Sequence, residues 1–428
     1  MKEFRVVTNY LVLAAGGLGF LCLPTVAAYA DGKEADLEKR VRALEQRLQA
    51  REQGGQERGL SQRVGQLEQE VRGVREKVSE SLGVDIHGFV AGSYNYNFNS
   101  PDSRVNGLAV FHPDANSFHL DQANIYLTRQ KEKEPVGFVL NLDFGKVAEV
   151  VGGVTNWSNS NTTERQNSIE LREAYLTYQL PIDLDIKLTA GKFVTKHGAE
   201  IIENWDNHNY NITRSFNFGF GIPFTHTGIM ATTKVNDVLV LDLGIVNGWD
   251  NVVDNNDGKT VHGGLSITPS ELFNVYIAGI YGPEQTNNGH SRRGLTTVVA
   301  TLKPHEQITL IGELTYGSEE DAKFSDPSET AEWYGSAGYV VAQLTDDLQF
   351  VVRGEVFDDT DGSRFAIASV PNGVTAWAVT PTVAYRLTEG LLWRTEYRHD
   401  NASAKIFDHD GNLNRGQDQI LTQLIYSF

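Results

Sequence analysis

The chain has 428 residues, with 37 Lys and Arg against 55 Asp and Glu, a formal net charge of −18 and one cysteine. An acidic excess of this size makes it a poor partner for nucleic acid. A lone cysteine excludes both a disulfide framework and a cysteine metal cluster.

The first element is an export signal. Lys2 and Arg5 precede the apolar run VVTNYLVLAAGGLGFLCLPTVA, and Ala28-Tyr29-Ala30 forms an A-x-A exit. Residues 1–30 are therefore expected to be removed, and Cys22 with them; Leu21 before that cysteine argues against a lipoprotein signal. Losing Lys2, Arg5 and Glu3 leaves 35 basic and 54 acidic residues, a net charge of −19. No later stretch offers the ~18 consecutive apolar residues of a membrane helix.

Residues 31–80 read as an α-helical coiled-coil stalk in the periplasm. Leu37, Val41, Leu44 and Leu48, then Leu60, Val64, Leu67, Val71, Val74 and Val78, fall at alternating spacings of three and four. QGGQERG (53–59) breaks the seam into two segments. The 11 acidic and 11 basic residues of 31–80 cancel, so the whole excess of 19 negative charges lies in 81–428.

From Val84 the period changes to two. Sixteen strand-like segments follow: 84–98, 116–130, 135–147, 166–180, 182–194, 226–235, 238–248, 259–268, 272–282, 291–303, 306–316, 330–344, 347–358, 373–387, 390–400 and 417–428. Short turns such as KEKE (131–134), Pro181, VND (235–237) and TEG (388–390) alternate with long polar connections such as 99–115, 148–165, 195–225 and 401–416. That alternation is the pattern of an up-and-down outer-membrane barrel, about 16 antiparallel strands over 81–428 with turns on the periplasmic side. In 135–147, Val136, Phe138, Leu140, Leu142 and Phe144 alternate with Gly137, Val139, Asn141 and Asp143. In 390–400, Leu391, Trp393, Thr395 and Tyr397 alternate with Arg394, Glu396 and Arg398. Charges in a membrane strand belong in the lumen. The last strand ends on Tyr426 and Phe428, an aromatic pattern expected to serve as the signal for barrel-assembly machinery.

The stretch 191–237, with Gly191-Lys192-Phe193 and Asn209-Tyr210 followed by Ser215, resembles the type 2 β-barrel porins, the OmpL-like bacterial outer-membrane porins, as does Asn247-Gly248-Trp249-Asp250 just beyond it. The resemblance covers 84–428. It implies a water-filled barrel for small solutes in a Gram-negative outer membrane and, by likeness to general porins, a homotrimer. It supplies no catalytic residue and no cofactor.

Loop 195–225 holds Lys196, Glu200, Glu203, Asp206 and Arg214 among Trp205, Tyr210, Phe216, Phe218, Phe220 and Phe224. So apolar a loop is expected to fold into the lumen. There, with Arg353, Glu355, Arg394, Glu396 and Arg398 of the wall, its charges would line a constriction. The helical spacing a His197, Glu200 and Glu203 metal site needs is not favoured here, and DHDGNLN (408–414) starts like a calcium loop but has Gln419 at the twelfth position. Asp358, Asp359, His399, His409 and Asp410 offer no more than the chance pairings of Asp-rich loops, so no enzyme is expected. The expected function is passive diffusion of small hydrophilic solutes or ions, with a cation lean. The alternatives are an envelope tether whose stalk reaches peptidoglycan and a porin specific for an anion or a sugar. Outer-membrane lipid and lipopolysaccharide would surround the barrel.

Overall fold

The computed structural model describes residues 83–129, 134–154, 169–202 and 209–428. The expected signal peptide and coiled-coil stalk lie outside the described residues, as do Glu203 and Asp206. The strands are β1 (Asp85–Asn97), β2 (Phe118–Arg129), β3 (Val136–Phe144), β4 (Ile169–Gln179), β5 (Ile186–Val194) and β6 (Thr225–Lys234). They continue with β7 (Leu239–Val246), β8 (Thr260–Ser270), β9 (Phe273–Pro283), β10 (Arg292–His305), β11 (Ile308–Glu319) and β12 (Ala331–Gln343). The last are β13 (Leu348–Asp359), β14 (Val374–Thr388), β15 (Leu391–Ala402), the short β16 (Phe407–His409) and β17 (Asn412–Asn414), and β18 (Gly416–Ser427).

Among the described residues sixteen of these strands close a barrel, each paired with its neighbour in sequence and β18 returning to β1, while β16 and β17 form a separate hairpin. The alternation in the sequence dictates the faces. On β3, Asn141 and Asp143 are fully buried while Val136 is exposed. On β15, Arg394, Glu396 and Arg398 are buried, and Trp393 and Tyr397 lie on the outside. Inward amides and acids satisfy one another: Asn124 Nδ2 donates to Asn141 Oδ1 at 2.6 Å and to Asp143 Oδ1 at 2.7 Å, and Gln423 Nε2 donates to Asp121 Oδ2 at 2.6 Å.

The outer face carries exposed aromatics near both rims. Tyr178, Phe273, Phe350, Tyr385, Trp393 and Tyr426 lie towards the short turns; Tyr96, Phe118, Tyr281, Tyr316, Tyr334 and Trp377 lie towards the long loops. On β14 the outward residues between Trp377 and Tyr385 include Val379 and Val383. Eight residues at ~3.3 Å each separate those two rings by ~26 Å along the strand. With the usual tilt of ~40° this is ~20 Å of membrane depth, close to the apolar band of an outer-membrane barrel.

Phe428 does not fray. Its N–H donates to Gly88 O at 2.9 Å and its carbonyl accepts from Gly88 N at 3.1 Å, continuing the β18–β1 ladder to the last residue. Its ring covers Gly88 so closely that a Cβ there would lie 2.4 Å from Phe428 Cζ.

Two expectations need correcting in detail. The strand after Pro181 begins at Ile186, not 182, because Leu180 N donates to Ile186 O at 2.9 Å and Ile182 N turns back to Leu180 O at 2.9 Å. The long connections also hold structure: helix α1 (Lys146–Val154), with Ala148 and Val151 buried, one π-helical turn (Asn217–Gly221), and the β16–β17 hairpin. Asp410 and Gly411 have φ of 46° and 75°, the paired left-handed residues of a tight Asp-Gly hairpin turn. This is what DHDGNLN forms.

Candidate channel constriction

Loop 195–224 runs from β5 to β6, and its residues 209–221 lie against the inner face of β12–β15. The wall supplies charge and the loop supplies backbone. Glu396 Oε2 accepts Ile212 N at 2.6 Å, and its Oε1 accepts Thr213 N at 3.0 Å and Thr213 Oγ1 at 2.5 Å. Glu355 Oε2 accepts Phe216 N at 2.5 Å. Arg353 Nη1 donates to Thr213 O at 2.7 Å, Arg398 Nη1 to Arg214 O at 2.7 Å, and Arg394 Nη1 to Asn209 O at 2.5 Å. From the loop, Glu200 meets Arg353 Nη1 at 2.7 Å and turns its other oxygen to Ser215 N at 2.7 Å. Arg214 binds its own loop, donating to the carbonyls of Ile201, Ile202 and Ile212 at 3.2 Å.

Seven of the ten predicted residues therefore meet in one network: Glu200, Arg214, Arg353, Glu355, Arg394, Glu396 and Arg398. Lys196 does not join them; it reaches Asp242 of β7 and remains 39% exposed. With Asp400, which accepts Arg398 Nε at 2.6 Å, the network holds four guanidiniums and four carboxylates, a net charge of zero. All eight side chains are buried. They hold the loop in place, so their charge is spent on backbone donors and acceptors and on one another.

Apolar contacts add to the seat. Phe111, Phe216, Phe218, Ile222, Phe224, Trp333, Phe357 and Phe365 belong to one buried cluster. Asn217 sits on Gly335 of β12, where a Cβ would lie 1.5 Å from its Oδ1. Trp333 Nε1 donates to Gly221 O at 3.2 Å. At the exit of the loop, Asp250 Oδ1 accepts both Phe224 N at 2.7 Å and Thr225 N at 2.8 Å. Burial pushes the Asp250 carboxyl up to about 6, against those two donors.

At the entrance, His197 Nδ1 lies 2.9 Å from Thr297 Oγ1, and its ring packs edge-on against His262. Burial and the neighbouring His262 and His226 hold His197 well below the usual histidine range. The ring of His197 is thus engaged by Thr297 and His262, and among the described residues no group of histidines, cysteines and acids is arranged to hold a metal ion.

Reasoning from sequence missed Thr213, Asn211, Ser215 and Asp250. Asp250 and Ser215 carried a signal, Asp250 as the end of Asn247-Gly248-Trp249-Asp250 and Ser215 as the serine shortly after Asn209-Tyr210, but neither pattern named a partner.

The fold and the chain's family are matched independently. The structure is similar to the outer membrane channel DcaP of Acinetobacter baumannii, with a TM-score of 0.54 and 13% identity, over 81% of this chain and 97% of that one. It is similar to OprB of Pseudomonas putida, with a TM-score of 0.54 and 11% identity, over 82% and 96%. It is also similar to the anion-selective porin of Comamonas acidovorans, with a TM-score of 0.52 and 9% identity, over 81% and 99%. At such identities the likeness is one of fold. No curated protein matches the chain in sequence. The family model described as beta-barrel porin-2, OmpL-like, matches residues 83–428, so the chain belongs to that family of outer-membrane porins.

Proposed function

We propose that the barrel passes small hydrophilic solutes and ions passively across the outer membrane, and that loop 195–224 sets its narrowest section. The observation that carries this reading is the seat of the loop: backbone from Asn209 to Phe216 bonded to inward charges of β13 and β15. Rigid positioning of a loop inside the lumen is how a wide barrel gains a defined aperture. The preference is for cations, because all 19 excess negative charges fall in 81–428 while the buried network is neutral. No bond-making chemistry is proposed. Single-channel recording in planar bilayers tests the reading; absence of discrete conductance steps from folded protein would leave the barrel as an anchor only.

We propose further that the barrel is a homotrimer, on the strength of the porin family, that Tyr426 and Phe428 are read by the barrel-assembly machinery, and that residues 31–80 form a periplasmic stalk. The seam of Leu37, Val41, Leu44 and Leu48 supports the stalk, since a heptad stripe needs an apolar partner. Light scattering of the protein in mild detergent, with and without residues 31–80, checks the oligomer. Co-sedimentation with peptidoglycan checks the tethering alternative.

A further inference from the structure

Two guanidiniums and two indoles from separate parts of the chain stack at the loop end of the barrel. Arg293, at the start of β10, lies 4.9 Å from the ring centroid of Trp249 in loop 247–259. Arg364, in loop 360–373, lies 5.0 Å from the same ring and 4.9 Å from Trp333 on the inner face of β12. The indoles are themselves 6.2 Å apart and nearly perpendicular. The group is inside the wall: Arg364 Nε donates to Phe220 O at 2.6 Å and Trp333 Nε1 to Gly221 O at 3.2 Å, both carbonyls of the inward loop.

The acids around this stack are already occupied. Asp250 accepts the N–H groups of Phe224 and Thr225. Asp359 accepts those of Arg364 and Phe365, and Glu284 accepts Trp249 N and Thr260 Oγ1. Glu319 takes Arg293 Nε at 2.9 Å and Nη2 at 2.7 Å. Among the described residues nothing accepts from Nη1 or Nη2 of Arg364, or from Nη1 of Arg293. Both residues are partly buried and keep some exposed surface. Burial and the nearby Arg293 push Arg364 down to about 10, which leaves it charged at neutral pH. A planar cation held by two aromatic faces, partly stripped of water and with its outer fork unfilled, matches a carboxylate better than any neutral group.

We propose that Arg364, assisted by Arg293, is a binding site for small carboxylate solutes entering the barrel. This deepens the porin reading and rests on it for the solute's route. The overall acidic field acts on ions at long range; the site acts by contact, through a fork that a carboxylate fills and a chloride ion does not. Lipid phosphate is not the ligand, because Trp333 and the inward loop place the stack inside the wall.

The test is calorimetric titration of the full-length protein in detergent with succinate, acetate and inorganic phosphate over a chloride background. Succinate or acetate is expected to bind saturably. Arg364→Gln should weaken binding by about tenfold or more, the scale of a lost charge-assisted pair. Arg293→Gln should weaken binding less than Arg364→Gln. Arg364→Lys should recover part of the loss, and it keeps the charge in place for a second measurement if the glutamine variant misfolds. Unchanged carboxylate affinity in either Arg364 variant overturns the proposal, as does saturable binding of phosphate alone or of neither anion. Calorimetry needs no channel activity. A protein that gives no bilayer current yet binds succinate through Arg364 would sink the porin reading and keep the site.

Discussion

Single residues decide how the seam and the loop are closed. Phe428 contributes two backbone hydrogen bonds to Gly88 and a ring over that glycine. Deleting it removes about 2 kcal/mol of hydrogen bonding and bares the β1 edge, so the yield of heat-modifiable barrel should fall while unit conductance stays the same. Gly88→Ala should act in the same direction, since its Cβ would also come within 2.7 Å of Asn124 O. Normal yields from both variants would count against the role assigned to the terminal aromatic. Asp250 gives a pH prediction. Its carboxyl is raised from 3.8 to about 6 in the folded protein, so the folded state holds the proton more tightly. The resulting stabilisation of the loop's exit is full below pH ~4 and lost as pH rises through about 6, at most ~3 kcal/mol. Proteolysis of loop 195–224 should therefore increase from pH 4 to pH 7 in the native protein. In Asp250→Asn the dependence over that range should flatten; an unchanged pH profile in the variant would assign it to other groups.

At the scale of elements, the strands were legible and the seat of the loop was not. A strand with lipid on one side must alternate at every second residue, so Val136 to Phe144 and Leu391 to Tyr397 announce their faces locally. The seat joins residues far apart in the chain: Glu396 meets Ile212 across 184 positions and Arg353 meets Glu200 across 153. No local pattern records such pairs, and Thr213, which touches Glu396, Arg353 and Arg398, looks like any other threonine. The charges were legible as inward-facing but not as partners of loop backbone, which is why residues expected to face solute turn out to be buried and paired. Helix α1 and the β16–β17 hairpin were hidden because nine and three residues are too few to establish a period. The seat can be tested as a unit. Glu396→Gln and Glu355→Gln remove the Glu355 contacts of Arg353 and Arg398, leave four guanidiniums against the two carboxylates of Glu200 and Asp400, and weaken four loop hydrogen bonds, a loss of about 3–5 kcal/mol for a broken buried pair. The loop should then leave the wall part of the time, and single-channel current should become larger and noisier. Quiet channels of native conductance would mean that the apolar cluster alone holds the loop.

For the whole molecule the relevant quantity is the distribution of charge. The barrel's network at the loop is neutral, and acids such as Asp254, Asp257, Glu320, Asp321 and Asp326 crowd the connections at one end. Long-range selectivity should therefore come from a diffuse acidic field at the mouth, not from a ring at the narrowest section. The two origins respond differently to salt. The Debye length falls from ~10 Å at 0.1 M to ~3 Å at 1 M, so a mouth field is screened, while a ring a few ångströms from the passing ion is screened much less. Reversal potentials measured across a fixed salt ratio should have cation sign at low salt and shrink steeply as both sides approach 1 M. Neutralising Asp254 and Asp257 together should reduce the low-salt value and leave the high-salt value unchanged. A potential of anion sign at 0.1 M would overturn the cation preference outright. A cation preference that persists undiminished at 1 M would move its source from the mouth to carboxylates lining the aperture, where screening is weakest.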